Sequence, residues 1–403
     1  MSLVQEQLDL SGIVSKYDEA RGYPPYDPRM MVALLMYAYS QGVYSSRRMA
    51  RACQERVDFM ALTGGQEPDF RTIALFRLRH LEELKGLFGQ VLRLCRKAGL
   101  VKLGHVALDG TKIRANANKH KSMSYGRMKK AEEELKSEIE DWFAQAQAAD
   151  QEEDELYRSD QRGDELPDWV KDKQKRLEKI RQAKAELEAE AKAAAEAPHD
   201  ATKTGHKPRP TGIPEEKTQR NFTDPESRII KGNECFIQGY NAQADVDADS
   251  QIIVAQQLTA NGNDSHQMVS MLNRIRYENG RQAKELSADA GYCSEHNLKE
   301  LSRRRIRGYV ASRWQKNNVA GSQDKKPPAR AGRYVRAMWQ RLRKGNYRSR
   351  YRFRKQVVEP VFGHIKQARG FRQFLMRGRN KVAVEWSLLC TAHNLLKLAA
   401  VAG

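Results

Sequence analysis

The sequence predicts an α/β protein in which a mixed β-sheet with flanking helices follows an all-helical segment and is interrupted by a helical hairpin. Three observations predict it. Apolar residues recur at helical spacing up to about residue 100, strand-like alternation appears at His105–Asn116 and again from Cys235, and a highly charged helical stretch, Tyr125–Ala197, lies between them. With 403 residues and 40% hydrophobic content, the chain can bury a core and hold two or three domains.

In the first segment, Met30, Met31, Leu34, Leu35, Tyr37 and Ala38, and later Leu81, Leu84, Leu87, Phe88, Val91 and Leu92, mark helical faces. Ser45 and Ser46 are N-cap residues for a helix over Arg47–Glu55, and Asp69 for one over Arg71–Arg79. Two short helices carrying Arg47, Arg48, Arg51, Arg71, Arg77 and Arg79 form either a helix-turn-helix-like DNA reader or an ordinary bundle with a solvated basic face.

The run HVALDGTKIRAN predicts a strand, a tight turn at Asp109-Gly110 and a second extended segment. Between Tyr125 and Ala197 the spacing of Leu177, Ile180, Ala183, Leu187 and Ala191 predicts two antiparallel helices broken near Gly163–Pro167, supported by Glu-to-Lys pairs rather than a deep core. His199–Thr218, rich in Lys, Thr, Pro and Gly, reads as a linker. From Cys235 to Thr259 a β-hairpin turns at Asp247–Ser250. Asp264 and Ser265 then cap a helix through Asn279, Glu285–Ala288 is a strand, Ser294 caps a helix to Arg303, and Arg307–Ala311 is another strand. The expected domains are a helical one over 1–100, a catalytic one over 101–124 and 223–403, a hairpin insertion over 125–198 and a linker over 199–222.

The formal charge is +20, which favours a polyanionic partner, either nucleic acid or an anionic membrane surface. No apolar run approaches the roughly 18 residues of a spanning helix, and the first 25 residues lack a signal-peptide pattern, so a soluble cytoplasmic protein is expected. Five scattered cysteines, without a Cys-x-x-Cys pair, read as reduced thiols rather than a zinc site. Between Leu301 and Lys381 stand 25 Lys and Arg against two acids, Asp324 and Glu359, with aromatic residues such as Trp314, Trp339 and Tyr351 interleaved. That mixture suits a surface that neutralises phosphates and stacks on bases, and it places a basic arm over 312–355.

Any one of the 51 acids is first of all a surface residue. Asp109 ends the apolar run Val106-Ala107-Leu108, and Asp289 ends a short strand in ELSADAGY; each is a turn acid or a site acid. Glu359 is flanked by Val357, Val358, Val361, Phe362 and Ile365 inside the most basic part of the chain, so it is either an ion-pair partner or an acid held at the edge of a packed helix. Pro360 predicts that this helix starts near Glu359, leaving Lys355 on another face.

The segments ALDGTKIRANA, ELSADAGY and KQVVEPVFGHIK resemble the three acidic blocks of DDE-type bacterial insertion-sequence transposases, in the class with the signature Y-x2-R-x3-E-x6-K. NFTDPESRIIKG and GYNAQADVD are similar to that group as well, so the likeness covers nearly the whole chain. Glu359 and Lys366 keep the last spacing; Lys355 stands where the signature has Arg and Arg352 where it has Tyr, with Tyr351 and Arg354 one residue away. The resemblance implies an RNase H-like fold, and a triad of Asp109, Asp289 and Glu359 holding two Mg²⁺ or Mn²⁺ ions for cleavage and strand transfer. It also implies a phosphate contact by Lys366, to which the basic aromatic stretch adds Lys355, Arg352, Arg354, Arg348 and Trp339, and the two short basic helices Arg71 and Arg77, as expected DNA contacts. The implied partners are double-stranded inverted-repeat ends and target DNA, bound by a dimer or larger homo-oligomer in the bacterial cytoplasm, at the nucleoid. His364 and His393 are expected to be structural. A nuclease that does not join DNA, a domesticated DNA-binding protein without chemistry, and an RNA-binding protein are the alternative readings.

Overall fold

Helical spacing in the first hundred residues becomes α1 (Ser2–Gln7), α2 (Ser11–Val14), α3 (Pro28–Ser40), α4 (Ser46–Glu55), α5 (Val57–Thr63), α6 (Phe70–Arg79) and α7 (Leu81–Lys97). The computed structural model describes residues 2–17, 26–156, 168–196, 212–232, 235–312, 327–328, 330–345 and 350–402. Local chemistry sets the helix starts. The Asp27 carboxylate accepts from the Arg29 amide with Pro28 in the first turn, the Ser45 hydroxyl from the Arg48 amide, and the Asp69 carboxylate from the Arg71 amide.

After α7 come β1 (His105–Arg114), β2 (Ser122–Ser124), α8 (Tyr125–Leu156), α9 (Asp168–Glu196), β3 (Gln219–Asn221), β4 (Arg228–Lys231), β5 (Phe236–Asp247), β6 (Ile253–Thr259), α10 (Met268–Asn279), β7 (Glu285–Ala288), α11 (Glu295–Arg303) and β8 (Arg307–Val310). The chain ends with α12 (Arg333–Gly345), α13 (Phe353–Gly363) and α14 (Arg379–Ala402). The main sheet runs β4-β5-β1-β7-β8, with β6 also on β5. β1 is antiparallel to β5 and parallel to β7, and β7 is parallel to β8, so the sheet is mixed and β1 is central.

The expected turn at Asp109-Gly110 does not form: β1 is one unbroken strand of 10 residues. Its ladder to β5 runs from Val106↔Asp247 to Arg114↔Gly239 without a break, and folding back at Asp109 would forfeit the far half of those bonds. Asp264 and Ser265 do not cap α10 either; they lie in a 3-10 turn that Asn263 caps, leaving the Asp264 carboxylate free for other partners.

Pro360 lies inside α13, which continues through it. A proline has no amide to give the carbonyl four residues back, that of Gln356. The Gln251 side chain fills the gap, donating to that oxygen at 3.1 Å. The following turn, His364–Ala368, widens to π geometry before the chain leaves the helix.

Contacts divide the chain into two compact units, Met1–Asn116 with Ile230–Gly403, and Ala117–Ile229. Within the first, α14 packs against α7, α3 and β6, so residue 100 is not a break in packing. Trp386 of α14 is fully buried and donates its indole N–H to the Gln243 carbonyl at 3.2 Å. Asn394 accepts from the Ile253 amide at 2.8 Å and donates to its carbonyl at 2.9 Å, completing the start of β6 as a neighbouring strand would. In the second unit, the helices α8 and α9 meet along Tyr125, Met128, Leu135, Ile139, Leu177, Ile180, Ala183 and Leu187, so the spaced apolar residues form a buried seam in addition to the expected ion pairs. Glu132 reinforces it by reaching Arg181 at 2.9 Å and Lys184 at 2.5 Å across the pair. The expected break at Gly163–Pro167 and most of the expected linker fall outside the described residues.

Glu385 of α14 is fully buried, and its carboxylate accepts from the amides of Leu375 (3.0 Å) and Met376 (3.2 Å), tying down the loop after Lys366. Burial pushes its carboxyl from the ordinary 4.5 up to about 7, against those amides and the charge of Arg77. A raised acid binds its proton more tightly folded than unfolded, so its contribution is complete below about pH 4.5 and is lost as pH rises through about 7. Glu385→Gln keeps an acceptor for both amides. Its unfolding free energy is expected to lose the decline, on the order of 3 kcal/mol, that this carboxyl contributes between those pH values. Denaturant titrations of both proteins at pH 5 and pH 8 check this, and equal declines would remove Glu385 as the cause.

Candidate active site

The register of the two central parallel strands brings the first two acids together. Leu108 is paired with Ala288, so Asp109 and Asp289 follow one another at adjacent positions on β1 and just beyond β7. Asp109 Oδ1 accepts from the Gly110 amide at 2.8 Å. Asp289 Oδ1 accepts from the Gly291 amide at 2.9 Å, capping the short turn Ala290–Tyr292. The third acid, Glu359, comes from α13, which lies against β1, β5 and β7.

One guanidinium lies among these acids. Arg354 Nη1 donates to Asp109 Oδ2 at 2.8 Å, and Nη2 stands 3.7 Å from Glu359 Oε1. Its charge also acts on Asp289. Arg354 is 12% exposed and Asp109 17%, whereas Glu359 is half exposed. Burial raises Asp109 to about 6, opposed by Arg354 and aided by the charges of Asp289 and Asp264. Burial likewise raises Asp289, again opposed by Arg354 and aided by Asp264. Two buried carboxylates, each raised further by neighbouring carboxylate charge, create a demand for positive charge, which Arg354 partly meets.

The basic residues expected at DNA divide into several groups. Lys366, on the π-helical turn, donates to the Lys112 carbonyl of β1 at 2.9 Å, and burial lowers its pKa. Lys355 and Arg352 are exposed beside the acids, Arg71 is exposed on α6, and Arg348 lies outside the described residues. Two expectations are corrected. Arg77 is buried, reaching Ser46 Oγ at 2.5 Å, the Tyr44 carbonyl at 3.2 Å and Tyr39 Oη at 3.4 Å, so it knits α3, α4 and α6 together instead of facing a ligand. Trp339 is buried on the apolar face of α12 with Val335, Met338 and Leu342, and has no free ring face to offer a base. Of the expected arm, 313–326, 329 and 346–349 are outside the described residues, and α12 is a packed helix.

Arg77→Ala is therefore expected to cost about 3 kcal/mol of stability, because it strips a buried cation from its acceptors and from Glu385. The salt dependence of DNA binding should not change. Thermal melts and a salt series of binding constants read the two effects separately; a lower salt slope at unchanged stability would return Arg77 to the DNA surface.

His393 is structural as expected: buried, with Nε2 at 2.9 Å from the Gln251 carbonyl and Nδ1 at 3.5 Å from Arg369, and pushed down to about 3 chiefly by burial. Three residues that sequence reading did not place at the acids stand there: Asp264, Lys112 and Tyr351. Tyr351 is hydrogen-bonded to Arg354. The pair Tyr351 and Arg354 keeps the Y-x2-R spacing of the signature, with one additional residue before Glu359, and that spacing was the available signal.

The donor set is all carboxylate oxygen, which suits a hard divalent cation. Among the described residues, however, no three His, Cys, Asp or Glu side chains are close enough together to hold a metal ion as they stand. Asp109 and Asp289 fit such an ion by chemistry and burial, and Arg354 contacts both Asp109 and Glu359.

A mixed sheet with one acid within its central strand, a second just past the end of the parallel strand beside it, and a third on a covering helix defines the RNase H-like class. Residues 199–395 match the family described as Transposase DDE domain, and residues 2–79 match Transposase domain (DUF772); the chain belongs to the DDE-type insertion-sequence transposases. The first match contains Asp289 and Glu359, whereas Asp109 lies ahead of it. No curated protein and no solved structure matched the chain. The family generally uses divalent metal ions and binds DNA. No helix among the described residues is long and apolar enough to cross a membrane.

Proposed function

We propose that this transposase binds the terminal inverted repeats of its mobile element, cleaves the DNA at the element ends and joins the freed 3′-hydroxyl to target DNA. The observation that carries the reading is the convergence of Asp109, Asp289 and Glu359 on the Arg354 guanidinium. Two Mg²⁺ ions, or Mn²⁺ in their place, held by these carboxylates would supply activation of the attacking oxygen and stabilisation of the leaving one.

The protein's own part is placement and charge. Asp109 stands within the central strand β1 and Asp289 just past the end of β7, where burial strengthens every electrostatic interaction they make. With the acids' charge met by divalent ions, Arg354 would be free to serve a phosphate near the cut, and its planar fork suits that anion. Lys366, on the turn after α13, would add a second phosphate contact, and Lys355, Arg352, Arg348 and Arg71 would extend the contact along the duplex backbone. The protein works as a dimer or larger assembly in the bacterial cytoplasm, at the nucleoid.

A duplex bearing the element's end and labelled at its 3′ strand tests the reading when incubated with target plasmid and Mg²⁺. Labelled joint molecules are the expected product. Nicked ends without joining would reduce the function to a nuclease, and binding without either product would overturn the enzymatic reading.

A further inference from the structure

Asp264, outside the three acids, is packed against the backbone beside two of them. A Cβ on Gly110, the residue after Asp109, would stand 2.9 Å from Asp264 Oδ1; one on Gly291, two residues after Asp289, would stand 3.5 Å from Asp264 Cβ and 3.6 Å from its Oδ2. A side chain at Gly110 would have to push aside the ends of Gln243, Asn241 and Asp264, all of which face that position. Asp264 is held there by three donors. Asn241 Nδ2 reaches Oδ1 at 2.6 Å and Gln243 Nε2 at 2.9 Å, while Lys112 Nζ lies 3.1 Å from both oxygens. Gln243 is fixed in turn by the Tyr292 hydroxyl and by Asn241.

Lys112 lies on β1 three positions beyond Asp109, its amine only 18% exposed and near enough for its charge to act on Asp289. A flexible ammonium so close to buried carboxylates competes with any other cation for them. We propose that Asp264 is a positioning residue of the acid site: it holds the Lys112 ammonium away from Asp289, whose Oδ1 and the Asp264 carboxylate both border Gly291, so that the Asp289 carboxylate remains open to a divalent cation shared with Asp109. Asp264 acts through Lys112, and through the two glycines whose bare backbones let its carboxylate lie between the strands. The inference rests on the proposed function only in taking Asp109 and Asp289 as the cation-binding pair.

Binding of Mn²⁺ to the DNA-free full chain, followed by the electron paramagnetic resonance of the free ion, tests it without reference to turnover. Asp264→Asn preserves shape while releasing Lys112, and is expected to weaken Mn²⁺ binding by about tenfold or more, the usual effect of removing a partner behind a metal ligand. Adding Lys112→Met to Asp264→Asn removes the competitor and is expected to restore most of the affinity, which a merely structural role for Asp264 would not allow. Unchanged binding in Asp264→Asn, or a double variant as weak as the single one, would overturn the inference. Should Asp264→Asn fail to fold, Lys112→Met alone decides: affinity equal to or tighter than wild type is expected, and a tenfold weakening overturns it. Asp109→Asn, run in parallel, separates the two layers. If it binds Mn²⁺ like wild type, the acid-site reading itself fails; if it loses binding while Asp264→Asn does not, only the present inference fails.

Discussion

Replacing Asp109 with Asn is expected to lower DNA cleavage and joining by on the order of a thousandfold or more, while the duplex end is still bound. Asparagine keeps the size of the side chain and an oxygen for the Gly110 amide, so the strand is not disturbed. It removes the charge at the most buried of the three acids, the one that makes the shortest contact with Arg354. The fold should not suffer: burial already raises this carboxyl to about 6, so its ionised form opposes folding near neutral pH, and the variant should melt no lower than wild type. The decisive measurement is a single-turnover cleavage assay beside an end-binding titration. Cleavage within tenfold of wild type would remove Asp109 from the chemistry.

Arg354→Gln is the second large effect, and its two readouts are expected to move in opposite directions. With the guanidinium gone, Asp109 and Asp289 lose the positive charge that offsets their burial, and above pH 7 a divalent ion is the remaining compensation. Mn²⁺ binding to the DNA-free protein is expected to tighten by about tenfold, and added Mn²⁺ should raise the melting temperature more than it does in wild type. Cleavage, by contrast, is expected to fall by about a hundredfold, because a preorganised donor to the reacting phosphate has been lost. Unchanged Mn²⁺ affinity would show that Arg354 does not stand in the cation's place, and unchanged cleavage that it does not serve the phosphate.

Much of the fold was legible because local signals are strong where one residue controls a helix start or a strand end. Ser45, Asp69 and Ser294 cap the helices they were expected to cap, and Glu285–Ala288 is a strand ending beside Asp289. The failures share a cause. Asp109-Gly110 has the composition of a hairpin turn, but strands on both sides of β1 reward extension more than a turn could. Pro360 has the chemistry of a helix start, but Gln251, distant in sequence, satisfies the carbonyl it orphans. Arg77 and Trp339 look like surface ligands in a basic sequence, and only the packing of α3, α4 and α6, and of α12, turns them inward.

The neighbours of Asp109, Asp289 and Glu359 in sequence left each as a turn acid, an ion-pair partner or a site acid, and their choice as a triad rested mainly on the resemblance to the transposase blocks. Spacing alone left Tyr351 and Arg354 one residue off the signature, and nothing in it pointed to Asp264 or Lys112.

The sequence by itself determined the helix-capping points, the alternation that makes a mixed sheet and the excess of positive charge, since each follows from residue type and near neighbours, and its likeness to a family picked out the candidate acids. Tertiary structure alone decided that Arg354 lies among those acids, that Asp264 holds Lys112, and that α14 joins the N-terminal helices to the sheet. Those facts depend on which distant groups share a low-dielectric interior, where an unpaired charge or carbonyl is costly enough to select its partner.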